Sequence, residues 1–204
     1  MIAAIILAAG ESRRMGQPKL LLPYGRSTVL ETVIASVLAA SVERAIVVLG
    51  AHRSRLVPLV RRYPVEIVVN PEPARGMLSS VQAGLRALPR KPGAVFVMPG
   101  DHPAVPPRVF RALAGARAES GQGFIVPVHG GRGGHPLLID LRYRAEVGRL
   151  DSRVGLRGLL ALYPGDVLRM ETDEAGVLLD LDEPGDYRRA VGARGPARKR
   201  GRRS

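Results

Sequence analysis

Cysteine is absent from this chain of 204 residues. The absence excludes disulfides, thiolate zinc sites and a cysteine nucleophile, so any metal has to be held by oxygen or imidazole ligands. A hard cation such as Mg²⁺ is the natural guest of such a donor set. Tryptophan is also missing and aromatic residues make up only 4% of the chain, with none interleaved among the basic residues near the end to form a base-stacking platform. Long apolar runs are lacking as well. The opening stretch Ile2-Ala3-Ala4-Ile5-Ile6-Leu7 is halted at Gly10 and Glu11, far short of the roughly 18 to 20 residues that span a bilayer. It has no basic segment before it and runs into a glycine turn, which reads as a buried first strand rather than a signal peptide and predicts a cytoplasmic chain.

Charge is abundant and lopsided. Thirty-one Lys and Arg against 18 Asp and Glu give a formal net charge of +13. Six of those positive charges, Arg194, Arg198, Lys199, Arg200, Arg202 and Arg203, fall in residues 192–204, where no acidic residue accompanies them. That stretch has no apolar periodicity and is predicted to be a solvated, disordered tail behind a single domain over residues 1–191. Nothing but charge points to nucleic acid, so nucleic acid is not an expected partner. A hydrophobic fraction of 46% supplies ample material for a core.

Short β-branched runs alternate with helical patterns, the signature of βαβ units: an α/β fold with three layers, α/β/α, around a mostly parallel, Rossmann-like sheet. Strands are predicted at Ile2–Leu7, Ala45–Leu49, Glu66–Val69, Ala94–Met98, Phe124–Val128, Pro136–Ile139, Val167–Met170 and Val177–Leu179. Helices are predicted near Thr28–Ala40, Arg53–Arg61, Met77–Leu88, Pro107–Glu119, Leu141–Arg149, Val154–Leu162 and Pro184–Val191. The first of these shows Val29, Leu30, Val33, Ile34 and Val37 at three- and four-residue spacing. The run Gly130-Gly131-Arg132-Gly133-Gly134 is predicted to be a mobile loop over a site.

In an open parallel sheet the ligand crevice lies beyond the carboxyl ends of the strands, and three segments there carry chemistry. The first, Leu7-Ala8-Ala9-Gly10-Glu11-Ser12-Arg13-Arg14-Met15-Gly16-Gln17-Pro18-Lys19, leaves a strand as a small-residue turn and then presents basic side chains. Ala8, Ala9 and Gly10 let the backbone approach a ligand, and Arg14 and Lys19 would neutralise a triphosphate. The dinucleotide fingerprint and the Walker loop are both absent. The second, Met98-Pro99-Gly100-Asp101-His102-Pro103, ends a buried strand in a carboxylate, a residue type that serves as metal ligand and equally as turn former or helix cap. The third is Asp180-Leu181-Asp182-Glu183-Pro184-Gly185-Asp186. Asp180 and Asp182 share a face in extended geometry, and Asp182 also reads as a helix N-cap.

In this order the three segments resemble the MobA-like nucleotidyltransferases, and most closely the branch that includes molybdenum cofactor cytidylyltransferases. Weaker matches in register are Asn70-Pro71 through Gly76-Met77-Leu78-Ser79-Ser80-Val81, and Gly134-His135-Pro136. The resemblance covers roughly Ile2 to Val191. It departs from the family at His102, where relatives commonly carry glutamine, and at Leu78, where many carry a small polar residue.

The resemblance implies an Mg²⁺-dependent enzyme that transfers a nucleoside monophosphate from an NTP to a phosphate-bearing acceptor, releasing pyrophosphate. It implies Arg14, Lys19 and Asp101 as catalytic residues. Leu7, Ala8, Ala9, Gly10, Arg14, Lys19, Ser79, Ser80 and Gly100 would bind the nucleotide, and His102, His135, Asp180 and Asp182 the acceptor. Asp101 and Asp182 would hold the metal. Ala9, where the guanylyl branch usually has glycine, points to CTP, with a molybdopterin-type acceptor and a molybdoenzyme as recipient of the product. The alternatives are GTP with the same pterin, a sugar or polyol phosphate acceptor, and a non-catalytic chaperone of the finished cofactor.

Overall fold

The computed structural model describes residues 1–40, 42–89 and 93–192. In chain order the strands are β1 (Ile2–Ala8), β2 (Pro23–Tyr24), β3 (Ser27–Thr28), β4 (Arg44–Leu49), β5 (Glu66–Val69), β6 (Ala94–Pro99), β7 (Phe124–His129), β8 (Arg132–Gly133), β9 (Leu137–Asp140) and β10 (Val167–Glu171). The helices are α1 (Val29–Leu38), α2 (Arg53–Val60), α3 (Met77–Ala87), α4 (Pro107–Ser120), α5 (Arg144–Arg149), α6 (Gly155–Leu162) and α7 (Pro184–Gly192). The main sheet runs β10-β7-β9-β6-β1-β4-β5, with β8 paired to β7, while β2 and β3 form a separate small hairpin.

Strand β1 is the axis. It pairs in parallel with β4 on one side and β6 on the other, with Ile5 level with both Ile46 and Val97. Its side chains alternate between faces, as a strand buried on both sides requires. Ala4, Ile6 and Ala8 join a core with residues of α1, α2 and α4, whereas Ala3 and Ile5 join a second core with α3, Val147 of α5 and Leu159 of α6. These two cores make the three layers. Helix α1 is set by a capping box, in which Thr28 Oγ1 accepts from the Glu31 amide at 3.3 Å and the Glu31 carboxylate accepts from the Thr28 amide at 2.9 Å. Its apolar residues Val29, Leu30, Val33, Ile34 and Val37 are fully buried.

Four expectations change. The run Val177–Leu179 is not a strand but part of a 3₁₀ turn, Ala175–Leu178, closed by the Leu179 amide donating to Gly176. A short apolar run reads alike for a strand and for a buried turn, and here Gly176 packs so close that a Cβ would stand 2.4 Å from the Ala104 carbonyl oxygen. The glycine run is no open loop. Gly130 and Gly131, at φ of 56° and 74°, make the tight turn of the β7–β8 hairpin, where His129 pairs with Arg132 and Val128 with Gly133. Pro136 lies outside β9, which begins at Leu137 and runs antiparallel to both β6 and β7. Residues 141–149 divide into a 3₁₀ turn, where the Arg142 amide donates to the Asp140 carboxylate, and the short α5. The basic tail predicted over residues 192–204 lies outside the described residues from 193 onward, and none of the described helices is long and apolar enough to cross a membrane.

Candidate active site

A cleft of about 810 Å³ opens beyond the carboxyl ends of β1 and β6. Its floor is the turn after β1. Ala9 presses against the start of the next connection, where a Cβ on Gly50 would meet the Ala9 carbonyl oxygen at 2.5 Å. Ser12 then takes a left-handed conformation at φ 55°, and its hydroxyl accepts from the Lys19 amide at 3.2 Å. A non-glycine residue held there is strained, and strain of this kind gathers at ligand-binding turns. Buried Met15 and Leu20 anchor the loop from beneath, so Arg14 and Lys19 leave it at fixed points.

The charged groups form one chain across the cleft. Lys19 Nζ donates to Asp101 Oδ2 at 2.5 Å and to Asp182 Oδ1 at 2.8 Å. Arg14 Nη2 reaches the other oxygen of Asp182 at 2.6 Å, and His102 Nδ1 stands 3.0 Å from Asp101 Oδ1. The His102 ring meets His135 edge-on, with centroids 5.1 Å apart. Burial works to raise the pKa of Asp101, but the hydrogen bonds and charges of His102 and Lys19 outweigh it and hold the carboxyl well below the usual carboxylate range. Burial likewise works against the Lys19 ammonium, and Asp101 with Asp182 reverse the sign, so its pKa is raised. His135 is pushed down to about 4, first by burial and then by the charge of His102, with Asp101 opposing and Arg157 adding to the shift. Its Nδ1 is buried without a hydrogen-bond partner.

Most of the expected residues meet here. Leu7, Ala9, Gly10, Arg14, Lys19, Ser80, Asp101, His102, His135, Asp180 and Asp182 all line the cleft. Asp180 and Asp182 do so on an irregular segment rather than a strand end, because Leu181 between them, 1% exposed, is drawn into the core. Asp182 spends its carboxylate on Lys19 and Arg14.

Ala8, Ser79 and Gly100 stand outside the lining. Ala8 points into the core at 1% exposure. The Ser79 hydroxyl donates to the Gly76 carbonyl at 2.8 Å and accepts from Asn70 Nδ2 at 2.8 Å, so it is spent on the loop. Gly100 sends its amide to the Leu7 carbonyl at 2.9 Å, and a Cβ there would meet that same oxygen at 2.9 Å, so its role is the close approach that places Asp101.

Sequence reading gave no site role to Asn70, Arg132 or Arg157. Asn70 clamps Ser79, Ser80 and the Glu72 amide together. Its only signal is an Asn-Pro after a strand. Arg132 and Arg157 also line the cleft. Arg132 hides in a glycine run, and Arg157 sits on an exposed face that periodicity marks only as solvated.

The donor set suits a polyphosphate and a hard cation: small residues that admit a backbone, cations beside them, and two carboxylates converging on one point. Among the described residues no group of three or more His, Asp or Glu side chains forms a metal cage.

Comparison with known proteins gives a consistent picture. Residues 4–170 match the MobA-like NTP transferase domain family. The molybdenum cofactor cytidylyltransferase of Escherichia coli (strain K12) is 34% identical over 190 residues, covering 91% of this chain and 93% of that enzyme. The nicotine blue oxidoreductase of Paenarthrobacter nicotinovorans is 31% identical over 167 residues, 76% of this chain and 81% of that protein. Among solved structures, Rv0371c from Mycobacterium tuberculosis H37Rv superposes with a TM-score of 0.85 at 28% identity, over 94% of this chain and 97% of that one. A complex of Rv0371c with manganese superposes at 0.80 with 26% identity, again over 94% and 97%.

Proposed function

Since the chain belongs to the MobA-like NTP transferase domain family, we propose that it transfers CMP from CTP to the phosphate of molybdopterin and releases pyrophosphate. The observation that carries this reading is the meeting of Lys19 with Asp101 and Asp182 in the cleft lined by the Ala9-Gly10 turn. The similarity to a molybdenum cofactor cytidylyltransferase over nine-tenths of the chain supports the choice of acceptor.

In the reaction an oxygen of the acceptor phosphate forms a bond to the α-phosphorus of CTP. The bond from that phosphorus to the bridging oxygen breaks, and its electron pair leaves on pyrophosphate. The acceptor phosphate is already anionic near neutral pH, so no side chain has to remove a proton from it. The protein's part is positioning and electrostatics. The turn amides after Ala9 receive phosphate oxygens, while Arg14 and Lys19 balance the charge that gathers on the leaving pyrophosphate. Gly100 fixes Asp101 beside them. Asp101 and Asp182 would hold Mg²⁺, which when bound neutralises phosphate charge and draws the reacting groups into line. The manganese complex of a structural relative supports a divalent cation in this fold. Ala9, lining the cleft where the guanylyl branch usually has glycine, supports CTP. The dinucleotide product would pass to a molybdoenzyme.

One relative is named for a redox activity, so the first experiment must establish transfer itself. Pyrophosphate release is measured with each of the four NTPs, with and without molybdenum-loaded molybdopterin, using Asp101→Asn as control. Release that needs both CTP and the pterin is the expected result. Release with GTP moves the protein to guanylyl transfer, and release only with a sugar or polyol phosphate changes the acceptor. Silence throughout rejects the transfer reading and leaves the chaperone alternative.

A further inference from the structure

We propose that Arg132 and Arg157 form the subsite for the acceptor's phosphate in the cleft. The inference rests on the transfer reading and deepens it, assigning residues and chemistry to the acceptor's side.

Five Arg and Lys side chains line the cleft: Arg13, Arg14, Lys19, Arg132 and Arg157. Three are engaged by carboxylates, Arg13 by Glu11 at 2.5 Å, Arg14 by Asp182 and Lys19 by both Asp101 and Asp182. Arg132 and Arg157 have no carboxylate or side-chain hydrogen-bond partner among the described residues, and both are exposed. They come from different parts of the chain, Arg132 from β8 and Arg157 from α6, and both line the cleft. His135 ties them together: it follows Arg132 by three residues, and the charge of Arg157 is felt at its ring.

The hairpin that carries Arg132 is rigid where it needs to be. The β7–β8 turn is set by Gly130 and Gly131, the Gly134 amide donates to Pro127 at 2.8 Å, and the His135 amide donates to Val177 at 2.9 Å. Gly134 packs so tightly that a Cβ would stand 2.4 Å from the Val177 carbonyl oxygen. Arg132 is therefore presented from a fixed hairpin. Two unengaged guanidinium groups lining a cleft suit a phosphate monoester, which near neutral pH approaches a dianion and accepts forked N–H donors from each. Asp180, also in the lining and without an ion pair among the described residues, leaves these three groups one net positive charge and offers an acceptor for N–H groups on the organic part of the ester.

The test uses the full chain loaded with Mg²⁺ and α,β-methylene-CTP, so that the nucleotide's own phosphates are in place, and titrates inorganic phosphate at constant ionic strength. The wild-type chain is expected to bind one phosphate. Arg132→Ala and Arg157→Ala are each expected to weaken it about tenfold, the scale of one charge-assisted contact, while affinity for the nucleotide analogue changes less than twofold. In turnover the same variants should raise KM for the acceptor about tenfold and leave KM for CTP unchanged. Unchanged phosphate affinity in both variants, equal loss of nucleotide affinity, or no phosphate binding by the wild-type chain would each overturn the subsite. If the variants lose phosphate while the wild type fails to use molybdopterin, the acceptor reading fails and the subsite stands.

Discussion

Lys19 and Asp101 lie 82 residues apart in sequence and meet at 2.5 Å. Asp182 completes the junction from the other end of the domain, 2.8 Å from the same ammonium. The loop after β1 carries the cation, and the ends of β6 and of the segment before α7 carry the anions.

This junction gives the first prediction. Lys19→Ala removes the cation that separates two carboxylates and balances charge on the leaving group, so kcat should fall about 100- to 1,000-fold. Asp101→Asn keeps the shape and loses the charge, and should cost about 100-fold at saturating Mg²⁺. Pyrophosphate release reads both. Near wild-type turnover in Asp101→Asn would remove this residue from the metal site.

The adjacent serines should separate cleanly. Ser79 is spent on the loop and Ser80 lines the cleft. Ser79→Ala should therefore lower stability by about 1 kcal/mol, in line with a lost buried hydrogen bond, with KM for CTP unchanged. Ser80→Ala should instead raise that KM severalfold. Urea melts and steady-state kinetics on both variants decide the matter, and an equal KM effect from the two would refute the division.

The half-buried His135 gives a pH dependence with a definite sign. Its pKa falls from 6.5 to about 4 on folding, so the unfolded chain takes up a proton in that interval and the folded one does not. The contribution is fully present above about pH 6.5 and is lost as pH falls toward 4, at up to ~1.4 kcal/mol per pH unit. The neighbours that set it are His102, Asp101 and Arg157. Urea midpoints at pH 7.5, 6 and 5 should converge for wild type and His135→Asn in a way that flattens the slope in the variant; parallel slopes would contradict the assignment.

Gly134→Ala tests the hairpin's seating. The added methyl meets the Val177 carbonyl oxygen, so either the hairpin or the 175–178 turn must move, at about 1–3 kcal/mol. Calorimetry should show the loss, and acceptor KM should rise with it because Arg132 and His135 flank the displaced residue. A variant as stable as wild type would mean the turn yields freely.

Much of this was legible in the sequence for reasons that can be named. β1, β5 and α1 carry unambiguous patterns, and the turn after β1 holds its cations within a few residues of one another. Val177–Leu179 misled because an apolar run pressed under a loop has the composition of a strand. The glycine run misled because two glycines at positive φ make a tight hairpin as readily as a mobile loop. Arg157 was invisible for a different reason: helix periodicity shows which face is solvated but not which neighbour that face looks across at.

The internal pairing at the cleft also governs how a ligand arrives. Lys19 is already paired with its two aspartates and Arg14 with one of them, so this junction meets a distant anion with its charges largely balanced. Arg132 and Arg157, without a carboxylate partner among the described residues, are the cleft cations left unbalanced. On the proposed subsite, association should be steered at Arg132 and Arg157 and weaken with added salt, whereas dissociation should be set at the junction, where an incoming triphosphate would exchange partners with groups already paired.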